Sequence, residues 1–310
     1  MTPNNTPNGG AQNPLPDHYK SGFVNIVGNP NVGKSTLMNA LVGDRISIIT
    51  AKAQTTRHRI IGIVNTPEMQ IVYSDTPGVL KPHYKLQERM RGFSDQALTD
   101  ADVLVYVTDV VEQTGKNPDF IEAVRNRGAV PLIVVINKID LTDQKTLEGL
   151  VLKMQELLPG AHIIPMAALH KFGIKPLQDL IVSLIPEAPP YFEQDALTDK
   201  PARFFVSEII REKILRYYQD EIPYSVEVVT EEFKESADQI RIRAVILTER
   251  ESQKGIIIGH KGIAIKKVGT TARQDLERFF QKKIYLELIA RVDKDWRQDD
   301  AQLDRFGYEV

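Results

Sequence analysis

The chain contains no cysteine among its 310 residues. Disulfide bonds and thiolate metal sites are therefore excluded, and a reducing compartment is expected. Histidine is also scarce, with six residues, and none shows the H-E-x-x-H spacing of a zinc protease. Any metal ion is thus expected to be a hard cation that accompanies a nucleotide and takes oxygen ligands.

Long apolar runs are absent as well. The longest, 103–107 and 132–136, are far too short to cross a bilayer. Residues 1–17 are rich in Asn, Pro and Gly and lack the apolar core of a signal peptide, so we expect a disordered tail. We expect a soluble cytoplasmic protein, and peripheral contact with the inner face of the cell membrane stays open.

The length and the charge pattern indicate two domains with different surfaces. A chain of 310 residues, 42% apolar and 26% charged, is long enough for about two globular domains. The net charge is only −2, but 241–283 holds 11 basic and 4 acidic residues, whereas 219–238 holds 7 acidic residues and one Lys. This polarity predicts a basic surface for a polyanion, although solvated helix faces explain the charges equally well.

Apolar runs alternate with amphipathic segments over residues 23–185. Strands are predicted near 23–27, 59–65, 70–75, 103–109, 132–136 and 162–166. Helices are predicted near 34–43, 84–98, 117–127, 144–158 and 174–185. The pattern is typical of an α/β fold with a mostly parallel sheet and flanking helices. A ligand in such a fold binds outside the carboxyl ends of the strands.

Beyond a proline-rich stretch at 186–201 the pattern changes to that of a small α+β domain. A helix is predicted at 203–218, strands at 223–230, 240–248 and 284–290, and a second helix before the last strand. The predicted limits are a tail at 1–17, a first domain at 18–188, a linker at 189–202, a second domain at 203–298 and a C-terminal tail at 299–310.

Residues 28–35 read G-N-P-N-V-G-K-S between an apolar strand and a helix, which is the spacing of a phosphate-binding loop. Its glycines let backbone N–H groups surround phosphates, Lys34 adds a positive charge, and Ser35 offers a hydroxyl to Mg²⁺. The nucleotide-binding residues predicted here are Gly28, Asn29, Pro30, Asn31, Val32, Gly33, Lys34, Ser35 and Thr36.

Two tetrapeptides follow predicted strands at the same edge of the sheet. In the first, Asp75-Thr76-Pro77-Gly78, the carboxylate can hold a water bound to Mg²⁺ and the glycine N–H can contact the γ-phosphate. In the second, Asn137-Lys138-Ile139-Asp140, the Asp140 carboxylate can accept two hydrogen bonds from guanine, whereas adenine presents the opposite pattern. Asn137 braces the loop, and the aliphatic stem of Lys138 covers the base. The pair, in this order after a phosphate loop, predicts a GTP site.

The loop Gln54-Thr55-Thr56-Arg57-His58 carries the remaining hydroxyls. One of them can ligate Mg²⁺ only when the γ-phosphate is present, which would order the loop. We favour Thr56 over Thr55 as the ligand. His58 is expected to face solvent and to have no catalytic role.

With these segments in place, the chain resembles the Era family of translation-associated GTPases. The resemblance covers roughly 20–300 and rests on GNPNVGKS, QTTRH, DTPG and NKID, together with GIIIGHKG in the second domain. It implies a P-loop GTPase domain followed by a type II KH domain. It further implies GTP and GDP as ligands, Lys34, Thr56 and Gly78 as catalytic residues, and Ser35, Thr56 and Asp75 as the magnesium site.

The chain departs from the family pattern at the fifth guanine-contacting loop, where Ala167 stands in place of a serine. The N–H of Ala168 can still donate to the guanine O6, so guanine binding should persist, although the loop is held less firmly. After Gly78 the chain has Val79, as Era-like proteins typically have a hydrophobic residue there, and a valine cannot orient the attacking water. Slow intrinsic hydrolysis is expected. Asn31 matches the position at which related GTPases bind K⁺, so K⁺ is a second candidate ion.

The segment Gly259-His260-Lys261-Gly262 matches the GxxG loop with which KH domains approach about four nucleotides of RNA. We expect an apolar strand before the loop and a basic helix after it. The predicted RNA-binding residues are Lys254, Ile257, Ile258, Gly259, His260, Lys261, Gly262, Lys266, Lys267 and Arg273. The apolar groove that holds the bases is expected to be lined by Ile257, Ile258 and Ile265. Trp296 is expected either to stack on a base or to cap an edge of the core.

The resemblance implies small-subunit ribosomal RNA near its 3′ end as the ligand and maturation of the small ribosomal subunit as the process. We expect a monomer. One alternative is a KH RNA-binding module whose GTPase domain is a structural scaffold that does not switch. Another is a GTPase of membrane or tRNA-modification events, in which the KH-like domain contacts proteins.

Overall fold

The computed structural model describes residues 16–79, 81–113 and 115–309. Residues 1–15 of the predicted N-terminal tail, and Val310 of the predicted C-terminal tail, lie outside them. Within the described residues no helix is both long and apolar enough to span a membrane.

A six-stranded sheet forms the centre of the first domain, in the order β2-β3-β1-β4-β5-β6. Its strands are β1 (Lys20–Gly28), β2 (Ile60–Asn65), β3 (Met69–Asp75), β4 (Val103–Asp109), β5 (Leu132–Asn137) and β6 (His162–Pro165). All neighbouring pairs are parallel except β2 with β3. Every residue of β4 and β5 is buried, as expected for central strands covered on both faces. The predicted α/β fold is confirmed.

In the described part of the chain, five α-helices accompany this sheet. They are α1 (Lys34–Val42), α2 (Lys85–Thr99), α3 (Pro118–Arg125), α4 (Gln144–Leu157) and α5 (Ile174–Leu184). Helix α1 ends at Gly43, whose φ of 86° is the left-handed conformation that glycine adopts most readily after a helix. Helix α4 begins after Asp143, whose side chain accepts a hydrogen bond from the Thr146 N–H. Apolar side chains form a core on each face of the sheet.

The proline-rich stretch after α5 lies along the edge strand β2. The N–H of Ile63 donates to the carbonyl of Leu197 at 2.9 Å, and the Thr198 hydroxyl donates to the carbonyl of Ile61 at 2.6 Å. The Gln70 side chain accepts from the N–H groups of Tyr191 and Phe192. Most of the predicted linker is therefore attached to the first domain.

The second domain contains a three-stranded sheet in the order β7-β8-β9. Its strands are β7 (Val226–Glu235), β8 (Gln239–Thr248) and β9 (Lys283–Val292). Its helices are α6 (Ala202–Tyr217), α7 (Glu251–Ile258), α8 (Ile263–Phe280) and α9 (Asp300–Arg305). Strands β7 and β8 are antiparallel, whereas β8 and β9 are parallel. This is the α+β arrangement that the sequence predicts.

Two predictions for this domain are wrong in detail. The strand predicted at 223–230 begins at Val226, because Ile222–Tyr224 forms a 3₁₀ turn that contains Pro223. The apolar run before the GxxG loop is not a strand but helix α7, which ends at Gly259. A short apolar run fits either structure, and here the Gln253 side chain closes the start of a helix by accepting from the N–H of Arg250 at 3.1 Å.

The C-terminal segment packs against the first domain. Trp296, Leu303 and Tyr308 are fully buried and form one apolar cluster with residues of α2, which are Leu86, Met90 and Phe93. Of the two alternatives for Trp296, the structure supports the position in the core and excludes stacking on a base, and 299–309 is not a free tail. These side chains are buried because the two domains meet here, which no local pattern shows.

Candidate functional site

The phosphate loop has a backbone conformation that its glycines permit. Gly28 has φ of 147°, and a Cβ atom there would lie 2.2 Å from the carbonyl oxygen of Val107 on β4. Gly33 has φ of 100° and precedes α1 directly. Any other residue at these positions would clash or be strained. The loop therefore presents its N–H groups and the N-terminus of α1 at the carboxyl end of the sheet, which is an anion site.

Lys34 lies folded back over this loop. Its Nζ donates to the carbonyl oxygens of Gly28 at 3.0 Å and of Asn29 at 2.8 Å. Burial lowers the pKa of this ammonium to about 8, although the carboxylates of Asp75 and Glu112 oppose the shift. An anion in the loop would stabilise the charged form further.

Three oxygen-bearing side chains meet beside Lys34. The Ser35 hydroxyl donates to Asp75 Oδ2 at 2.7 Å and lies 2.9 Å from the Thr56 hydroxyl, which lies 3.3 Å from the same carboxylate oxygen. The neighbouring Thr55 hydroxyl instead donates to the carbonyl of Lys52. The geometry thus brings Thr56, and not Thr55, to the metal-binding position predicted from the sequence.

These side chains fit a magnesium ion. All of their donor atoms are oxygens, as Mg²⁺ requires. Asp75 is fully buried, and its Oδ1 atom has no hydrogen-bond partner among the described residues. Burial raises the pKa of this carboxyl, although Lys34 and the nearby hydroxyls oppose the shift. A divalent cation would provide a partner for Asp75 Oδ1 and would offset the cost of burying the carboxylate charge.

The segment after β3 lies against the phosphate loop. A Cβ atom at Gly78 would lie 2.7 Å from the backbone of Pro30, so only glycine fits this approach. The N–H of Val79 donates to the Gly28 carbonyl at 3.2 Å. The Val79 side chain packs against the apolar cluster beneath the sheet and offers no polar atom to a reacting water.

The predicted guanine-binding residues lie at the other end of the same cavity, which has a volume of about 530 Å³. The Asn137 side chain joins two loops: its Nδ2 donates to the Val32 carbonyl at 2.9 Å, and its Oδ1 accepts from the Ala168 N–H at 3.0 Å. The Lys138 Nζ donates to the Asn31 carbonyl at 2.7 Å. Asp140 borders the cavity with its carboxylate partly exposed.

Ala167 is buried and provides no hydroxyl to this end of the cavity. His170 lies nearby, with its Nε2 atom 3.6 Å from Asp140 Oδ2. Sequence reasoning missed His170, because only the 3₁₀ turn at Ala168–His170 turns it toward the carboxylate.

A second group of polar side chains holds the phosphate loop from behind. Glu112 accepts hydrogen bonds from the Asn29 Nδ2 at 2.8 Å and from the Thr108 hydroxyl at 2.6 Å. Asp109, at the end of β4, pairs with Lys138. Sequence reasoning missed both carboxylates, although a charged residue directly after a buried strand, such as Asp109, is a usable signal.

The loop that carries Thr56 is held on its far side by the second domain. Arg211 on α6 is almost fully buried, and its guanidinium donates to the backbone carbonyls of Gln54 and Thr55. Glu208 holds this guanidinium through two hydrogen bonds of 2.7 Å. Although burial opposes the shift, Arg211 keeps the pKa of Glu208 below its usual value, so the pair is charged.

Arg57 follows Thr56 and points into the second domain. Its guanidinium is fully buried and donates to the carbonyls of Val226 at 2.8 Å and Pro223 at 3.1 Å, and it pairs with Glu227 at 3.2 Å. The Tyr308 hydroxyl donates to the same carboxylate at 2.9 Å. Sequence reasoning missed this contact, because it depends on residues about 170 positions away.

The prediction that His58 faces solvent is wrong. Its ring is buried, stacks on Tyr308 with centroids 4.1 Å apart, and meets Phe204 edge-on. Burial lowers the pKa of His58 to about 4. The neutral imidazole is therefore part of the interface between the domains.

The GxxG loop connects α7 and α8. Gly259 and Gly262 both have positive φ, while His260 and Lys261 between them are exposed. The adjoining α8 exposes Lys266 and Lys267, and Arg273 on the same helix pairs with Glu277. The loop and the two lysines are therefore accessible to a ligand, and Lys254 on α7 is partly exposed.

A groove of about 260 Å³ lies between α8 and β9. Ile265, Leu286 and Leu288 line it, as do Lys266 and Arg273. The expectation that Ile257 floors the groove is wrong, because this side chain is fully buried in the core of the domain. Helix α7 turns it inward, whereas the sequence prediction assumed a strand.

Comparisons with known proteins agree with this arrangement. The family model "50S ribosome-binding GTPase" matches residues 23–138, and the model "KH domain" matches 221–297. GTPase Era of Geotalea uraniireducens is 44% identical over 292 residues, covering 94% of this chain and 98% of the relative. GTPase Era of Syntrophus aciditrophicus is 44% identical over 293 residues, covering 94% and 95% of the two chains.

Two solved structures are similar over the same extent. One is a variant of Aquifex aeolicus Era bound to GDP and AlF4⁻, and the other is Era in complex with MgGDPNP and nucleotides 1506–1542 of 16S ribosomal RNA. Each has a TM-score of 0.89 and 38% identity, and each comparison covers 94% of this chain and 100% of the other.

The burial of His58 predicts a pH-dependent stability. Its pKa is about 4 in the folded protein against 6.5 for the free side chain. Between these values the unfolded state binds a proton that the folded state does not, so stability falls as the pH falls. The expected loss at pH 5 relative to pH 7 is about 2 kcal/mol.

Urea unfolding at both pH values measures this loss. His58→Phe keeps an aromatic ring on Tyr308 and should reduce the difference, whereas His162→Gln, at an exposed position on β6, should leave it unchanged. Equal pH dependence in His58→Phe and the unmodified protein would contradict the prediction.

Proposed function

The chain belongs to the Era family of GTPases and hydrolyses GTP, and we propose that it acts as a GTP-switched RNA-binding protein. Its RNA ligand is the small-subunit ribosomal RNA near the 3′ end, and the process is maturation of the small ribosomal subunit. The proposal is supported by the similar structure that holds MgGDPNP and 16S ribosomal RNA nucleotides together. The limits predicted from the sequence for the first domain, 18–188, and for the second domain, 203–298, belong to the same proposal.

One observation supports the proposal of a GTP-dependent switch. The Thr56 loop contacts Ser35 and Asp75 on one side and Arg211 of the second domain on the other. A nucleotide that changes the position of this loop therefore changes contacts of the second domain directly. GTP would favour the RNA-competent arrangement of the domains, and hydrolysis would release the RNA.

The same proposal assigns the ions. Mg²⁺ would be held by the hydroxyls of Ser35 and Thr56, with Asp75 reached through water, and it would neutralise charge on the phosphates. Lys34, Thr56 and the Gly78 N–H are the catalytic groups. Since Val79 cannot orient water, intrinsic hydrolysis is slow and depends on another group or ion.

Base recognition is tested by Asp140→Asn. An amide in place of the carboxylate can no longer accept from both guanine N–H groups, so GTP affinity should fall by on the order of a hundredfold. Affinity for xanthosine triphosphate should rise in the same titrations. Asp143→Asn is the matched control. Asp143 lies outside the cavity, and an Asn at this position can also cap α4. Unchanged GTP affinity in Asp140→Asn would refute the assignment.

Potassium is tested by comparing single-turnover GTP hydrolysis in KCl and NaCl. Asn31 lies at the rim of the cavity with φ of 66°, and K⁺ near it would add positive charge beside the phosphates. We expect faster hydrolysis in K⁺, and Asn31→Ala should remove the difference. Equal rates in both salts would eliminate a role for K⁺.

RNA binding by the GxxG loop is tested by Gly262→Asp. The added carboxylate should repel the RNA backbone and weaken binding of an oligonucleotide with the 3′-terminal small-subunit sequence by about tenfold or more, without changing GTP affinity. Gly128→Asp is the matched control, because Gly128 also has positive φ and open space around it but lies in the first domain. Undiminished RNA affinity in Gly262→Asp would exclude the loop from RNA binding.

Crosslinking in cells that recovers tRNA, or no RNA, would favour the alternative GTPase role.

Coupling between the domains is tested by the double variant Glu208→Gln/Arg211→Gln, which leaves no buried charge unpaired. Loss of the hydrogen bonds to the Thr56 loop should slow single-turnover hydrolysis by about tenfold while GTP affinity changes little. Arg216→Ala, at an exposed position on the same helix, should hydrolyse GTP at the unmodified rate. A double variant with full activity and full RNA response would favour a scaffold that does not switch.

A further inference from the structure

The sheet of the second domain has one face that helices do not cover. Strand β8 is its central strand, and successive side chains of a strand point to opposite faces. Ile242 is fully buried in the core that α6 and α8 cover, whereas Arg241 and Arg243 lie on the other face and are exposed. Further along β8, Val245 and Leu247 on this other face are buried. The face is therefore open only in the half that holds the two arginines.

The strand register groups basic and aromatic side chains on this open half. Arg241 lies opposite Lys234 of β7 and opposite Tyr285 of β9. Lys283 stands two residues before Tyr285 and therefore shares its face. All four side chains are exposed. We call these residues, Lys234, Arg241, Lys283 and Tyr285, the sheet patch.

Tyr285 is placed so that a base could stack on it. Its ring is 51% exposed, and the guanidinium carbon of Arg241 lies 5.0 Å from the ring centroid. This cation–π contact restrains the ring and keeps a positive charge beside it. Proteins that bind single-stranded nucleic acid stack bases on aromatic rings and on arginine planes of this kind.

The charges of the sheet patch are only partly compensated. Lys234 pairs with Glu232 at 2.9 Å, and in the same row Arg243 pairs with Glu287 at 2.8 Å. Among the described residues, neither Arg241 nor Lys283 forms an ion pair with a carboxylate. Two positive charges near Tyr285 are therefore available to a polyanion.

The sheet patch adjoins the groove beside the GxxG loop. Strand β9 is an edge strand of the sheet, and its residues Leu286 and Leu288 line the groove between α8 and β9. Tyr285 directly precedes Leu286 and points to the opposite face. An RNA strand that lies in the groove can therefore pass the edge at β9 and reach Tyr285.

We propose that the sheet patch is a second contact for single-stranded RNA, in which a base stacks on Tyr285 and the RNA backbone lies near Arg241 and Lys283. The inference rests on the proposed function, because RNA bound in the groove brings the strand to the edge at β9. The contact tolerates different sequences, since every base has a face that can stack. It lengthens the bound segment beyond the nucleotides that the GxxG loop contacts.

The test compares RNA probes that differ in length, with the full-length protein and a non-hydrolysable GTP analogue at one salt concentration. The short probe is a fluorescent oligonucleotide with the 3′-terminal small-subunit sequence. Two extended probes carry about eight added uridines at the 5′ or the 3′ end, which is twice the length that a GxxG loop contacts. At least one extended probe should bind about tenfold more tightly than the short probe, the effect of one stacked base.

Variants show whether the sheet patch causes this gain. Tyr285→Ala should abolish the gain and leave the affinity for the short probe unchanged, whereas Tyr285→Phe keeps the ring and should keep the gain. Arg241→Gln should reduce the gain and serves if Tyr285→Ala does not fold. Lys153→Ala is the matched control, because it also removes one exposed positive charge but lies on α4 of the first domain. It should leave the gain unchanged.

Three results would overturn the inference: equal affinity of the unmodified protein for all probes, a full gain in Tyr285→Ala, or an equal loss of affinity for short and extended probes in that variant. If the unmodified protein bound none of the probes, the proposed function would fail instead. The two failures are therefore distinguishable within one set of titrations.

Discussion

The attachment of one loop to two domains is the constraint on which the structure depends. Thr56 points to Ser35 and Asp75, while the next residue, Arg57, points into the second domain. Arg211 reaches back from that domain to the carbonyls just before Thr56. Neither domain can move relative to this loop without breaking hydrogen bonds of buried groups, which is costly. The nucleotide site and the RNA-binding domain are therefore mechanically connected over a few residues.

Burial of charge has opposite consequences at the two sides of this loop. In the nucleotide site, burial shifts the pKa of Lys34 down and that of Asp75 up, so both groups are poorly compensated until phosphate and a cation arrive. At the domain interface, Glu208 and Arg211 form a buried ion pair with an N···O distance of 2.7 Å. The first arrangement favours binding of a charged ligand, and the second favours a fixed contact.

The nucleotide site was predictable because its chemistry is local in sequence. Backbone geometry at Gly28 and Gly78, and strand ends at Asp75 and Asn137, follow from short segments read in order. Sequence reasoning failed for side chains whose surroundings come from distant residues: His58 stacks on Tyr308, and Arg211, which was not predicted, contacts the carbonyl of Thr55. For Trp296 the sequence left two alternatives open, and its burial against α2 supports the one in the core. Helix α7 was missed for another reason, since three consecutive isoleucines fit a strand or a helix equally well until Gln253 caps the segment.

The stretch at 191–198 occupies the outer edge of the six-stranded sheet, where β2 would otherwise offer unpaired N–H and C=O groups. An open edge of this kind can recruit a strand from another molecule, which leads to aggregation. By covering it, the connection between the domains also protects the protein from intermolecular β-pairing. It also leaves only residues 199–201 between the covered sheet edge and the start of α6 at Ala202.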